Sequence, residues 1–334
     1  MKNFKPDDFI RSVAGTDSER AYLALALEYC KKSPELRPCT NLIALLDTTL
    51  HEMYPDVQPA SLSNPPFLPP PPNAPEFPPA SRISIDIPII DRCNLDCACC
   101  SHYAPLAKSA EPVVLEDLGA SISLLSDKCQ SAINQLNILG GEPLLHDQLP
   151  EIVRLVHNKF PLAKKFVVSN MLLFGKRKDE LLQAMKETDT YFGYSDYGCN
   201  SSVIENAIKN SEGVPMVRFG DSPTVFHKVL KSRKPMFETC GKMRCAENTC
   251  LTLLGNRVYL CSSTPYLKYL NSAFGTSLHA GKYDYIELRN VELAAEILLF
   301  AILPNPFCRH CDTKNAEHFV PGRSSKSRTE WLMD

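Results

Sequence analysis

Three cysteines, Cys93, Cys97 and Cys100, stand at the spacing C-x3-C-x2-C, with a further cysteine, Cys99, inside the run. They follow Ile83-Ser84-Ile85-Asp86-Ile87-Pro88-Ile89-Ile90, a β-branched stretch that reads as a buried strand. A short loop at a strand end can aim three thiolates at one centre, and soft sulfur ligands suit an iron–sulfur cluster or zinc. Structural zinc takes four ligands, commonly as two separated pairs, which a single run of this spacing does not supply. A 4Fe–4S cluster held by three protein thiolates would keep one iron open to a ligand from outside the chain.

On those residues the chain resembles the radical S-adenosylmethionine (radical SAM) enzymes, whose signature is this spacing on the loop after the first strand. The resemblance implies that Cys93, Cys97 and Cys100 ligate a catalytic 4Fe–4S cluster and that S-adenosylmethionine chelates the open iron. One electron then splits the sulfonium, and the resulting 5′-deoxyadenosyl radical takes a hydrogen atom from substrate. It also implies a flavodoxin- or ferredoxin-type electron donor. Where the family usually carries an aromatic residue before the last cysteine, this chain has Cys99; Tyr103 or His102 is a candidate for the missing ring.

Gly140-Gly141-Glu142-Pro143 is similar to the family's GGEP element after the second strand. Glycines allow close backbone approach, and a Glu142 carboxylate can accept a charge-assisted hydrogen bond from the cofactor's ammonium. Ser169 and Asn170 end the third predicted strand, where family members place polar groups on the cofactor, although Met171 replaces the usual following glycine. The plain alternative for this pair is a helix cap. Tyr194, Ser195 and Asp196 end the fourth strand and are candidates for cofactor or substrate contact, or for turn chemistry alone. Cys199 is a candidate hydrogen-atom donor, with a structural thiol as the alternative; catalytic residues are otherwise not readable.

A second set of cysteines lies toward the C-terminus. Cys245, Cys261, Cys308 and Cys311 resemble the ligands of the shortened SPASM, or twitch, domain, with Cys250 or Cys240 as alternatives to Cys245 and Gly255 as a hairpin turn before Cys261. The resemblance implies a second, auxiliary 4Fe–4S cluster; a zinc ribbon is the competing reading of the Cys308-x2-Cys311 pair.

The elements that must position these residues follow from periodicity. Residues 1–57 read as a helical domain and residues 58–80 as a stiff linker, with ten prolines between Pro59 and Pro79. From 81 to 235, strands alternate with helices. Strands are expected at 83–90, 134–139, 165–169, 191–195 and 214–219, and helices at 112–132, 178–188 and 203–210, with another between the second and third strands. That is an α/β fold with a parallel sheet, and the cysteine loop, the GGEP turn and Ser169 all fall at strand C-termini, where ligands bind. The resemblance specifies the sheet as a partial (βα)6 barrel. Residues 236–318, with an apolar helix at 291–303, read as a small separate cluster-binding domain, and 319–334 as a solvated tail bearing Arg323, Lys326 and Arg328.

Composition narrows the function. The chain has 334 residues, net charge −2 and no long basic run, so neither nucleic acid nor an anionic membrane is expected as a partner. The N-terminus lacks the apolar segment of a signal peptide and no run is long enough to span a bilayer, which predicts a cytoplasmic protein. Fourteen cysteines in a reducing compartment favour metal ligation over disulfides. With one auxiliary cluster the chain resembles twitch-domain enzymes that oxidise a secondary alcohol on a carbocyclic precursor, so the expected reaction is oxidation or epimerisation of a small polar, sugar-like molecule. A peptide-modifying maturase of SPASM type and, in another class, a zinc-stabilised interaction protein are the alternatives.

Overall fold

The computed structural model describes residues 83–334, except residues 108, 177, 221–222, 233–249, 282–283 and 321 and most of 292–305. The expected helical domain, the proline-rich linker, Cys240 and Cys245 lie outside the described residues, as does most of the expected helix at 291–303.

Five βα-type strands come in chain order. They are β1 (Ile83–Pro88), β2 (Ile133–Leu139), β3 (Lys164–Ser169), β4 (Thr190–Tyr194) and β5 (Met216–Arg218), paired in parallel as neighbours. Between them run α1 (Leu115–Cys129), α2 (Leu149–Lys159), α3 (Lys178–Glu187) and α4 (Ser201–Lys209). These boundaries lie within three residues of those read from periodicity, since each strand alternates and each helix buries one stripe. Ile83, Ile85 and Ile87 of β1 join Leu136 and Ile138 of β2, Leu118, Ile122 and Leu125 of α1 and Ile152, Val153 and Val156 of α2 in one buried apolar core. The odd-numbered face of β1 therefore meets the helices, and Ser84 and Asp86 face the concave side.

The sheet does not stop at β1. A strand β7 (Cys250–Leu254) pairs in parallel with the free edge of β1, and β8 (Arg257–Tyr259) and β9 (Tyr285–Glu287) continue it antiparallel. The order across eight strands is β5-β4-β3-β2-β1-β7-β8-β9, with six parallel strands forming the partial barrel. The expected boundary at 235/236 thus does not separate two sheets: β7 to β9 extend the barrel sheet. The expectation had rested on the change in cysteine density, which carries no information on strand pairing.

A short second sheet joins β6 (Phe226–Lys228) to β10 (Glu317–Phe319). The C-terminal residues, expected as a solvated tail, are packed. Trp331 and Leu332 are buried in a second apolar cluster with Tyr103, Tyr266, Leu267, Leu270 and Phe307, some from α5 (Leu267–Phe274). Arg328 donates to Ser232 Oγ and to the Asp334 carbonyl, so one of the basic residues read as tail is tied to the body. Among the described residues no helix is long and apolar enough to cross a membrane.

Candidate active site

At the C-terminal ends of β1 to β4 lies one cavity. Cys93, Cys97 and Cys100 line it together with Gly140, Gly141, Ser169, Asn170 and Ser195. The separate elements singled out from sequence are therefore brought to one wall.

Backbone packing explains the glycines. The Gly141 N–H donates to the Ile90 carbonyl at 2.6 Å and the Glu142 N–H to the Arg92 carbonyl at 3.1 Å, fastening the turn after β2 to the stem of the cysteine loop. A Cβ at Gly141 would fall 2.2 Å from the Arg92 carbonyl oxygen, and one at Gly140, which has φ +157°, would fall 2.1 Å from that of Ile90. The close approach that demands glycine is thus to the chain that carries the thiols.

Glu142 sits behind this wall. It is buried, and its carboxylate accepts from Ser169 Oγ at 2.7 Å, the Leu144 N–H at 3.0 Å and the Asn170 N–H at 3.0 Å. Burial pushes its carboxyl up to about 7 against these hydrogen bonds, which pull it down. Both oxygens point to the β3 end, and Glu142 is not among the cavity-lining residues. Pro143 is also buried away from the cavity and opens the short turn that Glu142 caps. In this structure the Glu142 carboxylate ties the ends of β2 and β3 together.

Ser169 and Asn170 line the cavity and also accept from the backbone in the manner of caps, Ser169 Oγ from the Met171 N–H at 2.9 Å and Asn170 Oδ1 from the Leu172 N–H at 3.0 Å. Asn170 Nδ2 donates to Asn94 Oδ1 at 2.8 Å and stands 3.8 Å from Cys93 Sγ. Met171, in the glycine position, adopts φ 63°, so the left-handed backbone is kept despite the side chain. Asp196 spends its carboxylate on the Gly198 N–H and Ser201 Oγ, which is turn chemistry.

The thiols are partly enclosed. Burial, with like-charge repulsion from Cys100 next, pushes Cys97 up to about 12, and burial raises Cys93 further, while the Leu95 N–H donates to Cys93 Sγ at 3.3 Å. Metal ligation would have to displace those protons. Among the described residues no three His, Cys, Asp or Glu side chains are gathered as for a single metal ion. Three sulfurs spaced around one cavity, one of them taking a backbone N–H, fit a cluster with its own sulfide framework.

Tyr103 does not supply a ring to the cavity. It is buried in the second apolar cluster, edge-on to Trp331 at 6.4 Å between centroids. Burial raises its phenol, and Cys261, Cys311 and Cys99 add to that shift. The loop turns at Cys99 (φ 58°) and Tyr103 (φ 52°), both left-handed, and neither residue lines the cavity. His102 does line the cavity, 3.1 Å from the Gly140 carbonyl. Sequence reading missed Tyr197 and Phe226, which line the cavity and meet edge-on at 6.1 Å. Tyr197 feels Cys97, Cys100 and Cys93, but β4 had been read only to its polar end.

Cys199 is exposed yet near enough to Cys97 to repel its thiolate, and it does not line the cavity. Cys308 lies within a short helix, Pro306–His310, Cys311 follows it, and the next residue, Asp312, is ion-paired with Lys231 at 2.6 Å. Cys250 begins β7 opposite Ser84, at the far end of β1 from the cavity.

No family model matches the chain. A 100-residue stretch, 30% of this chain and 30% of the relative, is 29% identical to GTP 3′,8-cyclase of Limosilactobacillus fermentum. The chain therefore matches less than a third of that curated relative's length. Among solved structures, BtrN in complex with AdoMet and 2-DOIA gives a TM-score of 0.44 at 15% identity, covering 74% of this chain and 96% of that one. Streptococcus suis SuiB gives 0.30 at 10% identity, covering 93% and 92%. The cysteine spacing on the loop after β1, the glycine-locked turn after β2 and the parallel sheet that brings them to one cavity are the features on which the chain resembles the radical SAM enzymes.

Proposed function

We propose that the chain binds a 4Fe–4S cluster through Cys93, Cys97 and Cys100 and S-adenosylmethionine in the adjoining cavity, and that it oxidises or epimerises a small polar, sugar-like molecule. The observation that carries this is the single cavity wall shared by those three thiols, the Gly140-Gly141 turn, Ser169, Asn170 and Ser195. Bound there, the two cofactors supply one-electron reductive cleavage and hydrogen-atom abstraction. The chain's own groups bind and orient. Ser169, Asn170 and Ser195 offer hydrogen bonds, His102, Tyr197 and Phe226 offer rings, and Glu142 is a positioning residue that holds Ser169 and Asn170 in place. These half-buried rings limit the access of water to the reacting centre.

We further propose a second cluster on Cys261, Cys308 and Cys311 with Cys245. Its support is the packing of Cys311 against the buried cluster that holds Tyr103 and the pinning of the Cys308–Cys311 segment by Asp312. A cytoplasmic location and an external electron donor of flavodoxin or ferredoxin type belong to the same reading. In anaerobically reconstituted protein, Cys97→Ala should abolish reductive cleavage of S-adenosylmethionine, and Cys308→Ala should lower iron content while some cleavage remains. Cleavage retained in Cys97→Ala, or iron unchanged in Cys308→Ala, contradicts the respective assignment.

A further inference from the structure

Asn200 is fully buried, although it stands just before α4, where asparagine commonly caps a helix. Its side chain makes no cap hydrogen bond and turns inward instead. Nδ2 donates to the Asn170 carbonyl at 2.8 Å and to the Ser195 carbonyl at 2.9 Å, and Oδ1 accepts from the Tyr197 N–H at 2.8 Å. Both amide protons and the oxygen are used, which fixes the orientation of the amide. The three residues it holds, Asn170, Ser195 and Tyr197, all line the cavity, while Asn200 itself does not.

Asn170 is gripped from two sides. Its N–H donates to Glu142 Oε2 at 3.0 Å and its carbonyl accepts from Asn200. Its Oδ1 accepts from the Leu172 N–H at 3.0 Å, so its Nδ2 points the other way. There Nδ2 donates to Asn94 Oδ1 at 2.8 Å and to Cys93 Sγ at 3.8 Å, a length open to a bond to sulfur. Asn94 is exposed and shares this amide with the sulfur. The Leu95 N–H is a second donor to the same sulfur, at 3.3 Å.

Hydrogen bonds to a ligating sulfur stabilise the more electron-rich, reduced state of an iron–sulfur cluster and so raise its reduction potential. The strength of such a bond depends on how firmly the donor is aimed. Asn170 is clamped at both its N–H and its carbonyl, and the clamp on the carbonyl is the Asn200 amide. Without it, the Asn170 peptide is free to turn and carry its side chain off the sulfur.

We propose that Asn200 is a positioning residue for the cluster on Cys93: by holding the Asn170 backbone it keeps the Asn170 amide on the Cys93 sulfur and thereby sets the cluster's reduction potential. Asn94 opposes it, drawing part of the same amide away. The inference rests on the radical-enzyme reading for the presence of the cluster and adds to it the residues that tune the potential.

The test uses the full chain, reconstituted with iron and sulfide without oxygen. Its reduction potential is titrated without S-adenosylmethionine and followed by electron paramagnetic resonance. The signal that changes when S-adenosylmethionine is added afterwards identifies the cluster on Cys93. Asn170→Ala, which removes the donor, should lower the potential by about 59 mV, a tenfold change in a one-electron equilibrium. Asn200→Ala should lower it by less, and should add nothing in an Asn170→Ala background, because it acts through that amide. Asn200→Ser, which keeps a hydroxyl donor for one carbonyl, should fall between Asn200→Ala and the parent, and it makes the same comparison if the alanine variant does not fold. Asn94→Ala, an exposed change that removes the competing acceptor, should raise the potential. A role in packing alone would lower the melting temperature of the Asn200 variants and leave the potential where it was. That result, a shift from Asn200 that persists in the Asn170→Ala background, or a potential unmoved by Asn170→Ala or Asn94→Ala, overturns the proposal. A parent chain that takes up no iron overturns the radical-enzyme reading itself, whereas potentials that stay fixed with iron in place overturn this inference alone.

Discussion

At the scale of single residues, the site depends on where each side chain is turned. Glu142 shows this most clearly. Spacing placed it at a strand end, but its oxygens serve Ser169, Asn170 and Leu144. Its folded value of about 7 lies above the ordinary 4.5, so between those values the folded chain holds a proton that the unfolded chain has lost. Stability from this group is full below pH 4.5 and is lost as pH rises through about 7. Urea melts of the cofactor-free protein at several pH values should show that decline. Glu142→Gln should flatten it while lowering stability by about 1–3 kcal/mol, because an amide N–H would face the Asn170 N–H. Tyr103 and Cys99 make the same point from the other direction. Their positions beside the cysteine run were legible, but the left-handed turns at Cys99 and Tyr103 were not.

At the scale of elements, most of the barrel was readable. Ile83, Ile85 and Ile87 alternate with Ser84 and Asp86, and the structure puts the first set on the helices and the second on the concave face. What the chain could not reveal locally was that β7 pairs with β1. Parallel pairing between segments so far apart leaves no trace in either stretch, and β7 reads equally well as a hairpin strand of a separate domain. The joint between the β2 turn and the cysteine loop is the element contact on which the site most depends. Gly141→Ala must displace the Arg92 carbonyl, with backbone on every side and no flexible side chain to yield. The expected cost is about 1–3 kcal/mol in denaturant midpoint. Less iron should be retained after reconstitution. Unchanged stability and iron would mean that the turn and the loop are not mechanically joined.

At the scale of the whole molecule, the C-terminus closes over the thiol loop. Trp331 Nε1 donates to the Cys100 carbonyl at 3.0 Å, the Ala98 N–H to Gly322 at 3.0 Å and the Ser324 N–H to Asp96 at 2.6 Å. The segment was misread as solvated because its charges dominate its composition, although Trp331 and Leu332 were in plain view. Trp331 is the chain's single tryptophan, so its emission reports docking of this segment directly. Trp331→Phe keeps the apolar packing but removes the donor, and should speed loss of iron to a chelator several-fold with little change in melting temperature. An unchanged rate would show that the cover is packing alone. The central claim is that three thiols and one cavity wall constitute a radical SAM centre. Its most direct test is to reconstitute the full chain with iron and sulfide without oxygen, add S-adenosylmethionine and a strong reductant, and measure 5′-deoxyadenosine. The account predicts 5′-deoxyadenosine in the wild type and none in Cys97→Ala; a colourless zinc-bound protein that leaves S-adenosylmethionine intact would contradict it.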